Sequence, residues 1–113
     1  MKYATIKAGS DIIEVHEVEE ITLERLQDVV GGWIEAITVG PTKSLPALTM
    51  YLNEDGKGLG LPLNQMATIM AKRHLLPGDY IAGNVLLCGL PDDEGNDTTF
   101  PESWIEAIAK VAI

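Results

Sequence analysis

The chain has 113 residues, of which 46% are hydrophobic and 22% charged, as expected for one soluble globular domain over residues 1–113. Seventeen acidic residues against eight basic ones leave a formal net charge of −9, which argues against direct nucleic-acid binding through the phosphate backbone. The single cysteine excludes an intrachain disulfide, and the lack of a long apolar run or a signal sequence predicts a cytoplasmic protein that does not enter a membrane.

The chain begins with a predicted β-hairpin. Lys2–Ala8 and Asp11–Val18 are short, β-branched segments on either side of Gly9-Ser10, which is typical of two paired strands. We expect Lys2–Ala8 to be an edge strand whose free backbone groups favour pairing with a second copy, so the sequence predicts a homodimer. Lysines at both ends of that strand, Lys2 and Lys7, are equally consistent with protection against such pairing.

A helix and a third strand are predicted next. Thr22 is a suitable N-cap for a helix that ends at Val30, and Gly31 supplies the left-handed residue that follows many helices. The apolar residues of this helix form one stripe at positions i, i+3 and i+7: Leu23, Leu26 and Val30. Gly32 is expected to allow a sharp turn into a strand over Trp33–Val39.

Four further elements are predicted after a break at Gly40-Pro41. They are a strand over Pro46–Asn53, a helix over Leu63–His74, a strand over Tyr80–Cys88, and a helix that starts at Pro101 with the core stripe Trp104, Ile108 and Val111. The resulting order, β-β-α-β-β-α-β-α, predicts a single small α+β domain. Its sheet is mixed or antiparallel, with about three helices packed against it.

Two polar residues within the predicted strands are candidates for ligand contacts. Glu35 shares a strand face with Trp33 and Ile37, so it is either a buried carboxylate that meets a ligand or part of a half-solvated face. The sequence favours the half-solvated face. Asn84 lies in the middle of a predicted strand, and its amide serves either internal hydrogen bonds or a ligand.

The segment "NEDGKGLGLPLN", residues 53–64, contains three glycines before a helix start. Backbone N–H groups in such a segment can bind an anion, with Lys57 beside them. The segment matches neither the Walker A loop nor the dinucleotide fingerprint. The simpler interpretation, a turn and a connector with Asn64 as the helix cap, is favoured by the sequence alone.

No catalytic residues, cofactor-binding motif or metal site are predicted. Glu14 and His16 lie two residues apart on one strand, but no third metal ligand is evident. Cys88 lies in an apolar strand and is expected to be a core residue rather than a nucleophile. The acidic loop over residues 92–97 does not have the ligand spacing of an EF-hand. We therefore expect a protein that is not an enzyme.

Three phrases, "LQDVVGGWIEAI", "LNEDGKGLGLPLNQMAT" and "GDYIAGNVLLCG", occur in the order and spacing of a small phage and bacterial family, domain of unknown function 3846. The chain resembles that family over residues 22–113. The family's recurring positions correspond here to Val30–Glu35, Asn53–Gly56, Leu61–Asn64 and Gly83–Gly89. The resemblance implies no activity. It does place Glu35, Asn53, Glu54 and Asn64 in recurring phrases, which favours either a ligand pocket or a structural polar network.

The leading hypothesis is a non-enzymatic accessory protein of a phage or mobile element that binds a small polar, nucleotide-like ligand. In the host cytoplasm it would sequester a host defence signal. The candidate ligand-binding residues are Trp33, Glu35, Asn53, Glu54, Lys57, Asn64 and Asn84. The alternative hypothesis is an acidic inhibitor that binds the basic surface of a host protein, with the net charge of −9 as its support.

Overall fold

The computed structural model describes the backbone of residues 1–111 and the side chains of residues 1–107. The strands are β1 (Lys2–Ile6), β2 (Ile13–Glu17), β3 (Ile34–Val39), β4 (Leu48–Asn53) and β5 (Val85–Cys88). The helices are α1 (Leu23–Val30), α2 (Gln65–Ala71) and α3 (Glu102–Val111), and a 3-10 turn over Lys72–His74 extends α2. The predicted α+β class and order of elements are confirmed. None of the described helices is long and apolar enough to cross a membrane.

The five strands form one sheet in the order β2-β1-β5-β4-β3, and every neighbouring pair is antiparallel. The predicted N-terminal hairpin is confirmed, with Lys2 opposite Glu17 and Ile6 opposite Ile13. The prediction that the first strand is an edge strand is wrong. β5 pairs with the other side of β1, where Ala4 lies opposite Leu87, so β1 is internal and the edges are β2 and β3.

Both faces of the sheet are covered, but to different extents. Alternate strand residues on one face belong to the larger core together with residues of α2 and of the C-terminal segment: Ala4, Ile6, Met50, Leu87, Ala67, Ala71, Phe100 and Trp104. On the other face, Tyr3, Leu86 and Cys88 pack with Leu26 of α1. Full burial of one large apolar side chain contributes roughly 1.5–3 kcal/mol, so the face beneath α2 and α3 provides most of the stability.

The ends of α1 agree with the sequence prediction. The Thr22 hydroxyl accepts a hydrogen bond from the Arg25 N–H at 3.2 Å, and Gly31 has φ +79° while its N–H donates to the Gln27 carbonyl. Gly32 has a different role. A Cβ at Gly32 would lie 3.0 Å from the Asn53 side-chain nitrogen, so this glycine allows the end of β4 to approach the end of α1.

Most of the predicted elements are shorter in the structure, and two of them differ the most. α2 begins after Asn64, and Leu63 lies outside it in an isolated bridge with Ala82. The predicted strand Tyr80–Cys88 is reduced to Val85–Cys88, because Gly83 has φ +91° and the chain there leaves the extended conformation. Asn84 therefore precedes β5 rather than lying within a strand.

The last helix begins as predicted, directly after Pro101. Trp104 is buried in the larger core, and its indole N–H donates to the Pro46 carbonyl at 2.7 Å. The other two residues of the predicted core stripe, Ile108 and Val111, lie outside the described side chains.

Candidate functional site

A cleft of about 220 Å³ opens beside the end of the sheet formed by β3 and β4. The sheet contributes Glu35, Ile37 and Leu52 to its wall. The loop over residues 53–58 forms a second wall, and residues 79–82 with Leu75 form the third. The cleft therefore joins a strand pair to two loops that are distant in sequence.

Glu35 reaches this cleft because of its position on β3. It lies opposite Leu52 and on the same face as Ile37, and it is exposed, in agreement with the half-solvated face that the sequence favours. Trp33 is 74% exposed and does not line the cleft, although its carbonyl accepts a hydrogen bond from the Glu54 N–H at 2.9 Å. A carboxylate on the exposed part of this face is available to a ligand without an energetic penalty for burial.

Lys57 crosses from its loop to the opposite wall. Its ammonium group forms an ion pair with Asp79 and lies 5.5 Å from the centre of the Tyr80 ring. The hydrogen bond to Asp79 raises the pKa of Lys57, and the same bond lowers the pKa of Asp79. This bridge holds together two loops that are separated by 22 residues in sequence.

The charge of the cleft is strongly negative. Of its described lining residues one is basic, Lys57, and four are acidic: Glu35, Glu54, Asp55 and Asp79. Because Lys57 is already paired with Asp79, three carboxylates remain to set the local potential. Such a cleft attracts cations and repels anions.

The glycine-rich loop is folded on itself. The N–H of Gly56 donates to the Asn53 carbonyl, that of Leu59 to Asp55, and that of Leu61 to Gly56. A Cβ at Gly56 would lie 2.7 Å from the Ala82 carbonyl oxygen, so the glycine is needed for the loop to lie against the opposite wall. These N–H groups have internal partners, which supports the interpretation as a turn and connector rather than an anion-binding loop.

Asn53 lines the cleft, but its side chain is used internally. It is buried, its amide nitrogen donates to the Val30 carbonyl at 3.1 Å, and its amide oxygen accepts from the Asp55 N–H at 2.8 Å. Both ends of the amide are thus satisfied. Asn53 positions the loop, and any contact with a ligand falls to its neighbours.

Asn64 lies away from the cleft and is completely buried. Its side-chain oxygen accepts from the Ala67 N–H, as predicted for a helix cap, and its nitrogen donates to the carbonyls of Ile6 and Gly83. A ligand pocket that contains both Glu35 and Asn64 is not found. Asn64 instead connects α2 to β1 and to the chain before β5 through a structural network.

Asn84 has a similar internal role. It is half-buried, and its side-chain oxygen accepts from the Ala8 N–H at 2.9 Å, which ties the end of the N-terminal strand to the start of β5. The cleft thus brings together four of the seven candidate residues: Glu35, Asn53, Glu54 and Lys57. Asp55, Asp79 and Tyr80 also line it but were not predicted. Asp79 was missed because no local sequence signal relates it to Lys57.

Two other groups of polar residues are structural. His16 stacks on the Tyr3 ring with centroids 4.8 Å apart and is hydrogen-bonded to Thr5. On the same face of the sheet, the Tyr51 hydroxyl donates to Asp97 at 2.5 Å, and the thiol of buried Cys88 lies 3.8 Å from that carboxylate. Burial raises the pKa of Cys88 to about 12.

The described residues contain no cluster of three or more potential metal ligands.

Comparison with models of known protein families identifies the family of this chain. The model of a family described as a domain of unknown function (DUF3846) matches residues 1–112. The chain belongs to the DUF3846 family. The match includes the N-terminal hairpin, so β1 and β2 are part of the DUF3846 domain. Searches of curated proteins and of solved structures find no match.

Proposed function

We propose that this DUF3846 protein binds a small polar ligand in the cleft between β3, β4 and the loop over residues 53–58, and that the ligand carries a cationic group. The observation that carries this proposal is the excess of carboxylates. Glu35, Glu54 and Asp55 line the cleft, and none of them belongs to an ion pair among the described residues. Ammonium and guanidinium groups are the natural partners of several carboxylates in one concave site.

The remaining lining residues suit a compact ligand. Tyr80 is 40% exposed and adds aromatic surface to the cleft beside Lys57. Ile37, Leu52 and Ala82 add apolar surface. At about 220 Å³ the cleft is smaller than the roughly 300–1,000 Å³ of drug-sized sites, so it accommodates a small ligand or one end of a longer one.

A nucleotide, which the sequence suggested, fits the charge of this cleft less well. Its phosphates would lie near Glu35, Glu54 and Asp55, whereas Lys57, the basic residue of the lining, is paired with Asp79. The backbone N–H groups of Gly56, Leu59 and Leu61 in the glycine-rich loop also have internal partners. A cationic small molecule is therefore the class that we propose, and a nucleotide serves as the comparison in the test.

The cellular role that we propose is sequestration. A binding protein without turnover lowers the free concentration of its ligand, which suits an accessory protein of a phage or mobile element acting on a host signal. The phage and bacterial distribution of the resembled family motivates this part of the proposal. The chemistry of the cleft motivates the choice of ligand.

The test is a comparison of thermal shifts with spermidine, agmatine and ADP-ribose. We expect the two cations to raise the melting temperature in a concentration-dependent manner and ADP-ribose to leave it unchanged. Glu35→Gln should weaken cation binding by about fivefold, which corresponds to roughly 1 kcal/mol for one charge contact in a partly exposed site. Glu106→Gln, an exposed carboxylate on α3, is the matched control and should bind like the wild type. Flat shifts with both cations, or equal binding by Glu35→Gln, would refute the proposal.

A second function, inhibition of a basic protein, is favoured by one other surface. Four exposed carboxylates follow one another from the end of β2 along α1: Glu19, Glu20, Glu24 and Asp28. Glu24 and Asp28 are four residues apart and so share one side of the helix. For this function we expect a basic partner to be retained from lysate at low salt and lost at high salt. The double change Glu24→Gln and Asp28→Asn should reduce its capture, while Glu35→Gln should not.

A further inference from the structure

β2 is an edge strand with exposed apolar residues in it and directly before it. It pairs with β1 on one side, and no described strand pairs with its other side. Val15, at the centre of β2, is 43% exposed. Ile12, the residue directly before the strand, is 64% exposed. An exposed edge of this kind is a template for another strand.

The backbone pattern shows which groups of β2 face outward. The Val18 N–H donates to the Met1 carbonyl at 2.9 Å, one step beyond the pair Lys2 and Glu17. In an antiparallel ladder, hydrogen-bonded pairs alternate with non-bonded pairs. Since Met1 and Val18 are a bonded pair, Lys2 and Glu17 are a non-bonded pair, and His16 and Glu14 again direct their N–H and C=O groups toward β1. The N–H and C=O groups of Ile13, Val15 and Glu17 therefore point away from the sheet.

Only one symmetric pairing of two β2 strands uses all of these groups and also places the Glu14 carboxylate, a hydrogen-bond acceptor, opposite the His16 imidazole. A two-fold axis at Val15 places Ile13 opposite the second copy's Glu17, and Val15 opposite its own equivalent, as bonded pairs. Glu14 then lies opposite the second copy's His16, twice per pair of chains, at the short spacing of a non-bonded pair. An axis shifted by one residue places Glu14 opposite Glu14 or His16 opposite His16.

The other edge of the sheet lacks this complementarity. The Glu54 N–H donates to the Trp33 carbonyl, so the outward-facing residues of β3 are Ile34, Ala36 and Thr38. A two-fold axis at Ala36 would place Glu35 opposite Ile37, and thus a carboxylate against an apolar side chain. The β2 pairing also sets a carboxylate, Glu17, opposite an apolar side chain, Ile13. It differs from β3 in giving its central carboxylate, Glu14, an imidazole neighbour, which β3 does not offer Glu35.

We infer that two copies of the chain associate through antiparallel pairing of their β2 strands, with Val15 at the two-fold axis and Glu14 of each copy beside His16 of the other. The two five-stranded sheets become one continuous sheet. The candidate cleft lies at the β3 and β4 end, so dimerisation leaves it open. This inference is independent of the proposed ligand.

The test is the molar mass in solution, measured by light scattering and sedimentation of the full chain. Salt of about 0.15 M should be present to screen the charge of −9 on each copy. We expect twice the chain mass of 12.2 kDa at high protein concentration and dissociation on dilution. Val15→Lys, which brings two ammonium groups together at the axis, should give the mass of one chain. Its melting temperature should match that of the wild type at low protein concentration, where both are monomeric.

Ala36→Lys is the matched control, since Ala36 is the exposed, outward-facing residue at the centre of the other edge, and it should remain dimeric. Slower hydrogen exchange of the Val15 amide at high protein concentration would locate the contact directly. The inference is overturned by the mass of one chain at the highest concentration reached. A dimer that survives Val15→Lys, or that is lost in Ala36→Lys, would overturn it as well.

Discussion

The side-chain amide of Asn53 donates a hydrogen bond to the carbonyl of Val30 at 3.1 Å, and so joins the last residue of β4 to the last residue of α1. Gly32 makes room for this contact, since a Cβ there would lie 3.0 Å from the Asn53 nitrogen. The same amide accepts a bond from the Asp55 N–H, which starts the loop that forms one wall of the cleft. One buried residue thus ties α1 to the cleft.

Replacing Asn53 with Ala should lower the free energy of unfolding by about 1–3 kcal/mol, because a buried carbonyl and a loop N–H lose their partners. Urea denaturation followed by circular dichroism measures the change. Glu54→Ala, a substitution at the neighbouring exposed residue, should stay within about 0.5 kcal/mol of the parent. Equal stabilities of the two variants would show that the Asn53 amide does not hold this junction.

Asn64 should be more sensitive than Asn53, since its side chain makes three hydrogen bonds at zero exposure. Asn64→Asp keeps the cap oxygen but replaces the donor to Ile6 and Gly83 by an acceptor. We expect a loss of about 2–5 kcal/mol or failure to fold. Asn84→Ala, which removes one half-buried bond, should cost about 1 kcal/mol and serves as the comparison. A mild effect of Asn64→Asp would indicate that the network is not needed.

The sequence predicted the fold class and the order of the elements because those depend on local signals. Thr22 and Gly31 mark the ends of α1, and Asn64 marks the start of α2, through groups a few residues away. The edge assignment of the first strand was wrong because the pairing of Ala4 with Leu87 is a contact across the chain. Hydrophobic alternation does not reveal which strand is the second neighbour.

The candidate site was predicted only in part, for the same physical reason. Glu35, Glu54 and Lys57 could be chosen as polar residues in distinctive phrases, and the structure brings them to one cleft. Asp79 was missed because its partner is 22 residues away. Asn64 was assigned both as a cap and as a site residue, and its complete burial decides in favour of the cap.

Stability should fall at alkaline pH because of Cys88 and Tyr51. Burial raises the pKa of the Cys88 thiol from 9.0 to about 12, and burial together with the bond to Asp97 raises the pKa of the Tyr51 hydroxyl. Above pH 9.0 the unfolded chain loses the thiol proton while the folded chain keeps it, so the unfolded state is favoured. The stabilising contribution of Cys88 is complete below pH 9.0 and is lost progressively up to about pH 12.

Urea denaturation between neutral pH and pH 11 measures this loss. Cys88→Ala removes the thiol and should reduce the slope of stability against pH above pH 9.0, even though the variant is less stable at neutral pH. Tyr51→Phe should reduce the slope at higher pH in the same way. Slopes that match the wild type in both variants would mean that neither group causes the alkaline loss.

The most direct measurement of ligand binding in the cleft is a titration of ¹⁵N-labelled protein with spermidine, followed by amide chemical shifts. We expect saturable changes confined to three segments, around Glu35, over residues 52–58 and over residues 79–82, and weaker binding in Glu35→Gln. The control variant Glu106→Gln should give the wild-type pattern. Changes centred instead on the acidic residues 19–28 of α1 and the segment before it, or no saturable change at all, would contradict a cation-binding function for this cleft.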